Sequence, residues 1–315
     1  MNIKPFAVEE WMNAYEDGAR YNIAETCVDS VSLDELFALC SEDRQAFLEH
    51  FCARRLTYGD IVGSEALREG VCGLYQSLTP SEVVPTHGAA GANYHVFCSL
   101  VSPGDGVVSI MPAYQQMYSI PEAIGADVRL MHLRQENGYL PDLAELRSLV
   151  DVNTKLICVN NPNNPTGALM SGALLRQIVE IAKSVDAYVL CDEVYRNLTQ
   201  VDGWCESIVD LYDKGISVSS MSKVFSLAGL RMGWIAENPH FYYTKPQAGT
   251  TALVYYDFDV PSYEFCERLY DETGAFVTPG DCFEQPKCMR IGYACDKKTL
   301  EDGLSALAAF AQKLS

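Results

Sequence analysis

The alternation of hydrophobic and polar positions changes its rhythm at Glu82. Ahead of it the chain is mostly polar, with one clear helix signal: in SLDELFALC, Ser32 and Glu35 stand at capping-box spacing before apolar residues. Beyond it, short apolar runs alternate with helical ones. VVPTHG precedes GANYHVFCSLV, and GVVSIMP precedes a polar stretch; then come DVRLMHL, KLICVN ahead of ALLRQIVEIAKSV, AYVLCDEV and ISVSSMSK. In the helix after Asn160, residues Leu174, Leu175, Ile178, Val179, Ile181 and Ala182 fall on one face. Strands alternating with helices predict a mostly parallel sheet covered on both sides, with ligands at the carboxyl ends of its strands. After Trp234 the chain reads as irregular, then as a strand in TALVYYDFDV, a helix in SYEFCERLYDETG, a strand in MRIGYA and a last helix from Leu300. That order predicts a small C-terminal α+β unit.

Composition narrows the partners. A chain of 315 residues has room for one large or two modest domains. Its net charge of −19 repels phosphate backbones and anionic membrane surfaces, which argues against nucleic acid and membrane partners. No stretch reaches the ~20 apolar residues of a membrane span, and the first residues lack an uninterrupted apolar core of a secretion signal. The twelve cysteines are scattered, with neither a C-x-x-C pair nor a His/Cys cluster at zinc spacing. They read as small buried hydrophobes in a reducing, cytoplasmic setting with no metal site.

The candidate chemistry gathers at predicted strand ends. Asp192 closes the apolar run YVLC, and Tyr195 follows three residues later. NNPNNPTG ends another strand in a turn too rich in Asn, Pro and Gly to be core. Lys223 follows ISVSS, among Ser220, Ser222 and Arg231, the hydroxyls and guanidinium that grip a phosphate. In THGAAGAN, small residues open a helix whose free N–H groups at Gly88, Ala89 and Ala90 can face an anion.

Together, THGAAGAN, MPAY, NNPNNPTG, CDEVY, SSMSKVFSLAGLRMGW and MRIGYA resemble, in order and approximate spacing, the class I/II aminotransferases of the fold-type I pyridoxal phosphate enzymes. The resemblance spans nearly the whole chain. It implies an α/β three-layer large domain over 41–238, a smaller α+β C-terminal domain over 239–315, and an N-terminal arm over 1–40 that also serves the small domain. It implies that Lys223 forms the Schiff base with pyridoxal 5'-phosphate and then moves the substrate's Cα proton. Asp192 would pair with the pyridine nitrogen, Asn164 and Tyr195 with the ring's phenolic oxygen, and Tyr114 would stack on the ring. Ser220, Ser222, Arg231 and the turn at Gly88, Ala89 and Ala90 would hold the phosphate. Tyr58 would reach the phosphate of a second subunit, implying a homodimer, and Arg290 would clamp the substrate α-carboxylate alongside Asn164. The amino acid and 2-oxo acid are left open, with YNIAETCV an unassigned contributor to specificity.

The pattern departs from the family between Trp234 and Thr251, where only IAENPHFYYTKPQAGT stands in place of several helices. That shortening is expected to expose part of the sheet and to weaken cofactor binding, dimerisation and turnover. Three readings follow: an aminotransferase; another fold-type I reaction, such as a β-elimination or a cyclisation of the capreomycidine synthase kind; and a noncatalytic remnant.

Overall fold

The computed structural model describes residues 2–20, 22, 24, 26, 28–198, 205–237, 241–243, 251–283, 285–292 and 297–314. The chain divides into two units, Met1–Asn238 and Pro239–Ser315. Residues 1–40 thus group with the first unit.

The first unit opens with four short helices, α1 (Ala7–Tyr15), α2 (Leu33–Cys40), α3 (Arg44–Ala53) and α4 (Glu65–Cys72). The capping box at α2 forms: Ser32 Oγ accepts from the Glu35 N–H, and the Glu35 carboxylate accepts from the Ser32 N–H. Then follow β1 (Val83–Thr86), α5 (Gly88–Leu100), β2 (Gly106–Met111), α6 (Gln116–Ile124), β3 (Asp127–His132), α7 (Leu143–Leu149), β4 (Thr154–Asn160), α8 (Gly172–Ser184), β5 (Tyr188–Asp192), β6 (Gly215–Ser220) and β7 (Gly233–Glu237). The seven strands form one sheet in the order β1-β7-β6-β5-β4-β2-β3, and only β7 runs antiparallel to its neighbours.

Both faces of this sheet are covered, because the strand residues are apolar without alternation. In β4, Ile157 and Val159 pack on one side with Leu175, Ile178, Val179 and Ala182 of α8. Leu156 and Cys158 pack on the other with Ala92, Val96 and Phe97 of α5 and with Met117 and Ile120 of α6. Each such side chain contributes about 1.5–3 kcal/mol by leaving water. The result is the three-layer α/β architecture read from the sequence.

The second unit holds β8 (Phe241–Tyr243), β9 (Thr251–Tyr256), α9 (Ser262–Thr273), β10 (Thr278–Pro279), β11 (Cys288–Gly292) and α10 (Lys297–Ala311), with a four-stranded antiparallel sheet ordered β10-β11-β9-β8. Its core joins Tyr256, Phe265, Met289 and Phe310.

Three readings need correction. The polar stretch after Met111 contains helix α6, whose buried face includes Met117 and Ile120 despite Pro121 inside it. The stretch after Trp234 is not wholly irregular: β7 runs on to Glu237, and Phe241–Tyr243 pairs with β9. The described residues of this interval hold no helix, while 238–240 and 244–250 lie outside the described residues. The cysteines are not uniformly buried: Cys158, Cys191, Cys266 and Cys288 are, whereas Cys40, Cys52, Cys98 and Cys282 are exposed, three of them on or ending helices that turn that side to solvent.

Candidate functional site

Parallel pairing brings the chemical motifs to one edge of the large sheet. Asn160 and Asp192 are Cα partners at the ends of β4 and β5, and β6 ends beside them at Ser220. Because β7 runs the other way, its first residue, Gly233, pairs with both Ser220 and Thr86, the last residue of β1. The turn that starts α5 therefore lies at the same edge as Asp192, Ser220 and Lys223.

That turn is built for close approach. Gly88 has a φ of +72°, where glycine is at ease, and a Cβ on it would come within 2.7 Å of Arg231 Nη2. A Cβ on Gly233 would come within 2.5 Å of the Gly88 carbonyl carbon and 2.8 Å of the Ala89 nitrogen. The cap residue of α5, His87, offers no side-chain acceptor, so the first-turn amides of Gly88, Ala89 and Ala90 start the helix beside a guanidinium. Arg231 is itself held by its Nη1 donating to the Ala228 carbonyl at 2.9 Å. Ser220 is buried and accepts from the Ser222 N–H at 3.3 Å.

Asp192 is 5% exposed. Its Oδ2 accepts from Asn93 Nδ2 at 2.9 Å, and its Oδ1 from the Val194 N–H at 3.2 Å. Burial raises the carboxyl above its ordinary range, with the Asn93 and Val194 hydrogen bonds working against that rise. Among the described residues no cation forms an ion pair with it.

Asn164 is tied to the same place through backbone. Its N–H donates to Asn160 Oδ1 at 2.6 Å, and Asn160 Nδ2 donates to the Asp192 carbonyl at 2.8 Å. Lys223 Nζ lies 6.0 Å from the centre of the Tyr195 ring and donates to Thr26 Oγ1 at 3.2 Å. Tyr114 stands close enough to Asp192 and Tyr195 for both to act on its phenol, which burial and then the Glu9 carboxylate raise. Its O–H donates to Glu9 Oε1 at 3.1 Å, and Phe6 meets its ring edge-on.

Lys223, Asp192, Tyr195, Asn164, Tyr114, Ser220, Ser222, Arg231 and the Gly88 turn thus share one region of the first unit. Two further named residues are Tyr58 and Arg290. Tyr58 is fully exposed in the segment ahead of α4, and no hydrogen bond or ring contact among the described residues joins it to the others. Arg290 belongs to the second unit, where Nη2 donates to Thr278 Oγ1 at 3.0 Å and the guanidinium lies over Phe283.

Sequence reading missed Asn93, Glu9 and Thr26. Asn93 left a signal, an amide on the apolar face of α5 beside Ala92 and Val96. Glu9 left none, since only folding brings α1 to Tyr114. Thr26 lies within YNIAETCV; Tyr21, Ile23, Glu25 and Cys27 of that stretch are outside the described residues.

A doubly covered α/β sheet thus brings the glycine turn of α5, a buried carboxylate and a lysine to one edge. Residues 32–244 match the family described as aminotransferase class I and II, and this chain belongs to that family, whose members use pyridoxal phosphate. It is similar to a PLP-dependent aminotransferase from Streptococcus suis 89-1591, with 37% identity and a TM-score of 0.73 over 100% of this chain and 99% of that one. It is 28% identical to capreomycidine synthase of Streptomyces vinaceus, over 96% of this chain and 92% of the relative. That alignment spans 363 positions, more than this chain has, so the relative contains segments without a counterpart here. An aspartate aminotransferase of Thermotoga maritima is 26% identical over 80% of this chain and 83% of its own.

Proposed function

We propose that Lys223, Asp192 and Tyr195 are the working residues of a pyridoxal phosphate aminotransferase site that moves an amino group between an amino acid and a 2-oxo acid. The observation that carries this reading is the meeting of Lys223, Tyr195 and a cation-free buried carboxylate with the Gly88–Arg231 turn at one sheet edge.

The residues present fit the cofactor. The Gly88 turn, Gly233 and Arg231 approach so closely that no side chain fits at either glycine, which sets the α5 amides and a guanidinium, groups that suit a phosphate, next to one another. Asp192, buried without an ion-pair partner among the described residues, suits a cationic ring N–H. When bound, pyridoxal phosphate supplies an aldehyde for amine exchange and a ring that takes up electron density from the substrate's Cα.

The chain's own residues do the rest. Lys223 Nζ holds the cofactor and, once free, carries the proton to and from the substrate Cα. Asp192 holds the proton on the ring nitrogen. Asn164 and Tyr195 orient the ring through its phenolic oxygen, and Tyr114 covers its face. Ser220, Ser222, Arg231 and the amides of Ala89 and Ala90 hold the phosphate, and Arg290 receives the α-carboxylate through its planar fork.

The same reading includes a homodimer in which Tyr58 completes the partner's phosphate site. Its support is the exposed apolar run of Phe47, Phe51, Leu56, Tyr58 and Ile61, which a monomer would leave in water. A cytoplasmic setting is supported by the free state of the described cysteines.

One observation favours a second reading. Similarity to capreomycidine synthase extends over 96% of this chain, which supports a cyclising reaction on the same site. The deciding experiment is a panel of amino acids with 2-oxoglutarate or pyruvate, followed at the cofactor's absorbance. Consumption of an amino donor with formation of a new amino acid supports transamination. Pyruvate and ammonia released without an acceptor mean elimination, a cyclic product means a cyclase, and no reaction means a remnant.

A further inference from the structure

Next to Asp192, a second buried carboxylate serves a different end. Glu193 is 1% exposed, and four groups converge on it. Its Oε1 accepts from Ser207 Oγ at 2.9 Å and the Ile208 N–H at 2.8 Å; its Oε2 accepts from Ser217 Oγ at 2.9 Å and forms an ion pair with Arg196 Nε at 3.2 Å. Arg196 is also buried, stacks its guanidinium 4.5 Å from the Tyr75 ring centre, and donates to the carbonyls of Leu74 at 2.5 Å and Cys205 at 3.5 Å.

The direction of the connected hydroxyls follows from their partners. Trp234 Nε1 can only donate, and it donates to the Tyr75 O–H at 2.8 Å. Ser217 spends its one proton on Glu193, so the 3.0 Å contact between Tyr75 and Ser217 has Tyr75 as donor. A single chain of donors therefore runs from β7 through Tyr75 and β6 to Glu193.

Tyr195 sits between the two charged residues, in a turn closed by the Arg196 N–H donating to the Glu193 carbonyl at 2.9 Å and the Leu198 N–H to the Tyr195 carbonyl at 2.8 Å. We propose that the buried Glu193–Arg196 pair is a positioning device that fixes this turn and so sets the Tyr195 phenol against Lys223. Well-packed apolar residues stabilise a core at least as well as a buried ion pair does; what the pair adds is a defined geometry. Arg196 is anchored outside the turn by the carbonyls of Leu74 and Cys205 and by the Tyr75 ring, so the turn cannot rotate without breaking those contacts and the ion pair with Glu193 together. The proposal rests on the cofactor reading above for its consequence, though not for its geometry.

Two variants test it. Arg196→Lys keeps the charge that balances Glu193 but loses the stacked plane and the forked donors. Glu193→Gln combined with Arg196→Met removes both charges, so neither is left buried alone. In the chain without cofactor, hydrogen exchange of the 193–198 amides should quicken about tenfold or more in both, the worth of one or two hydrogen bonds, while β4 and β5 exchange as before. Unchanged exchange in the turn, or a rise spread evenly through the whole unit, would overturn the proposal.

With pyridoxal phosphate added, the pH midpoint of the cofactor's absorbance should shift in both variants in the direction produced by Tyr195→Phe. It should shift no further when combined with Tyr195→Phe, because the pair acts through that phenol. A full additive shift in the Tyr195→Phe background would refute the route through Tyr195. If the unsubstituted chain forms no lysine-bound chromophore, the cofactor reading fails, and the exchange measurement alone decides whether the turn is held by the pair.

Discussion

Replacing Asn93 by leucine tests whether this amide governs the charge of Asp192. Leucine shares the branched shape of asparagine but is larger, so at this buried position it adds an overpacking cost of about 1–3 kcal/mol that does not depend on pH. Two polar effects remain. The Asn93 Nδ2 hydrogen bond to Asp192 Oδ2 is lost, and so is Asn93 Oδ1, a buried acceptor with no partner among the described residues. A hydrogen bond to a charged group is worth about 1.5–3 kcal/mol, so its loss pushes the Asp192 carboxyl further up. The sign follows from the direction already present. Burial holds the Asp192 carboxyl above its unfolded value, so its protonation favours the folded chain. That contribution is fully present below the unfolded value and is lost as pH rises through the folded one. Asn93→Leu raises the folded value further, widening the pH range over which stability falls. At a pH below the Asp192 value in both chains only the packing cost should remain, partly offset by loss of the orphan oxygen. Near pH 8 the deficit should exceed that in acid by about 2 kcal/mol, or roughly 4–8 °C in Tm for a unit of this size. The assay is thermal unfolding of the cofactor-free chain in a pH series. A deficit of constant size at every pH would mean that Asn93 matters only for packing, and a deficit larger in acid would reverse the reasoning.

Borohydride reduction of the loaded chain followed by peptide mapping should place the pyridoxyl group on Lys223; a label on Lys214 or Lys245 would displace that assignment. Asp192→Asn should retain the cofactor yet lower kcat by a factor on the order of a thousand or more, and near-normal turnover would remove Asp192 from the mechanism. Arg290→Lys keeps the charge but not the fork, so KM for the amino donor should rise about tenfold to a hundredfold with cofactor affinity unchanged. Restoring the helices expected between Trp234 and Thr251 should improve solubility, dimer formation and turnover; equal behaviour of the chain as it stands, measured by sedimentation and activity, would show the segment to be dispensable.

How much of this was legible in the sequence depended on the range of the interactions. The strands were plain because a doubly covered strand must be apolar throughout, as in KLICVN and AYVLCDEV. Lys223, Asp192 and Asn164 stood out because polar residues directly after such runs have to face a crevice or a turn. Helix α6 was hidden: Gln116, Ser119 and Pro121 are all buried in it, so its inward face does not read as apolar. The contacts of Glu9 with Tyr114 and of Thr26 with Lys223 join residues 105 and 197 positions apart, and no local pattern encodes such a meeting. The Glu193–Arg196 network was invisible for a related reason, since its other members come from the segment after α4, from Cys205–Ile208, and from β6 and β7.

The two adjacent carboxylates explain why burial alone does not mark a functional acid. Asp192 and Glu193 are consecutive at a strand end, where successive side chains leave on opposite faces. Both are buried, and burial raises both. Glu193 has three hydrogen-bond donors and a guanidinium that neutralises it within the protein, so its valence toward any ligand is spent. Asp192 has one amide and one backbone donor and no charge partner among the described residues. An ionised carboxylate in so little water calls for a cation, and its face of the sheet edge is the one shared with Lys223, Tyr195 and the Gly88 turn. How completely each acid is satisfied by its own chain, rather than the depth at which it lies, separates Glu193 from Asp192 and is the support for the proposed pairing of Asp192 with a ligand that brings its own positive charge.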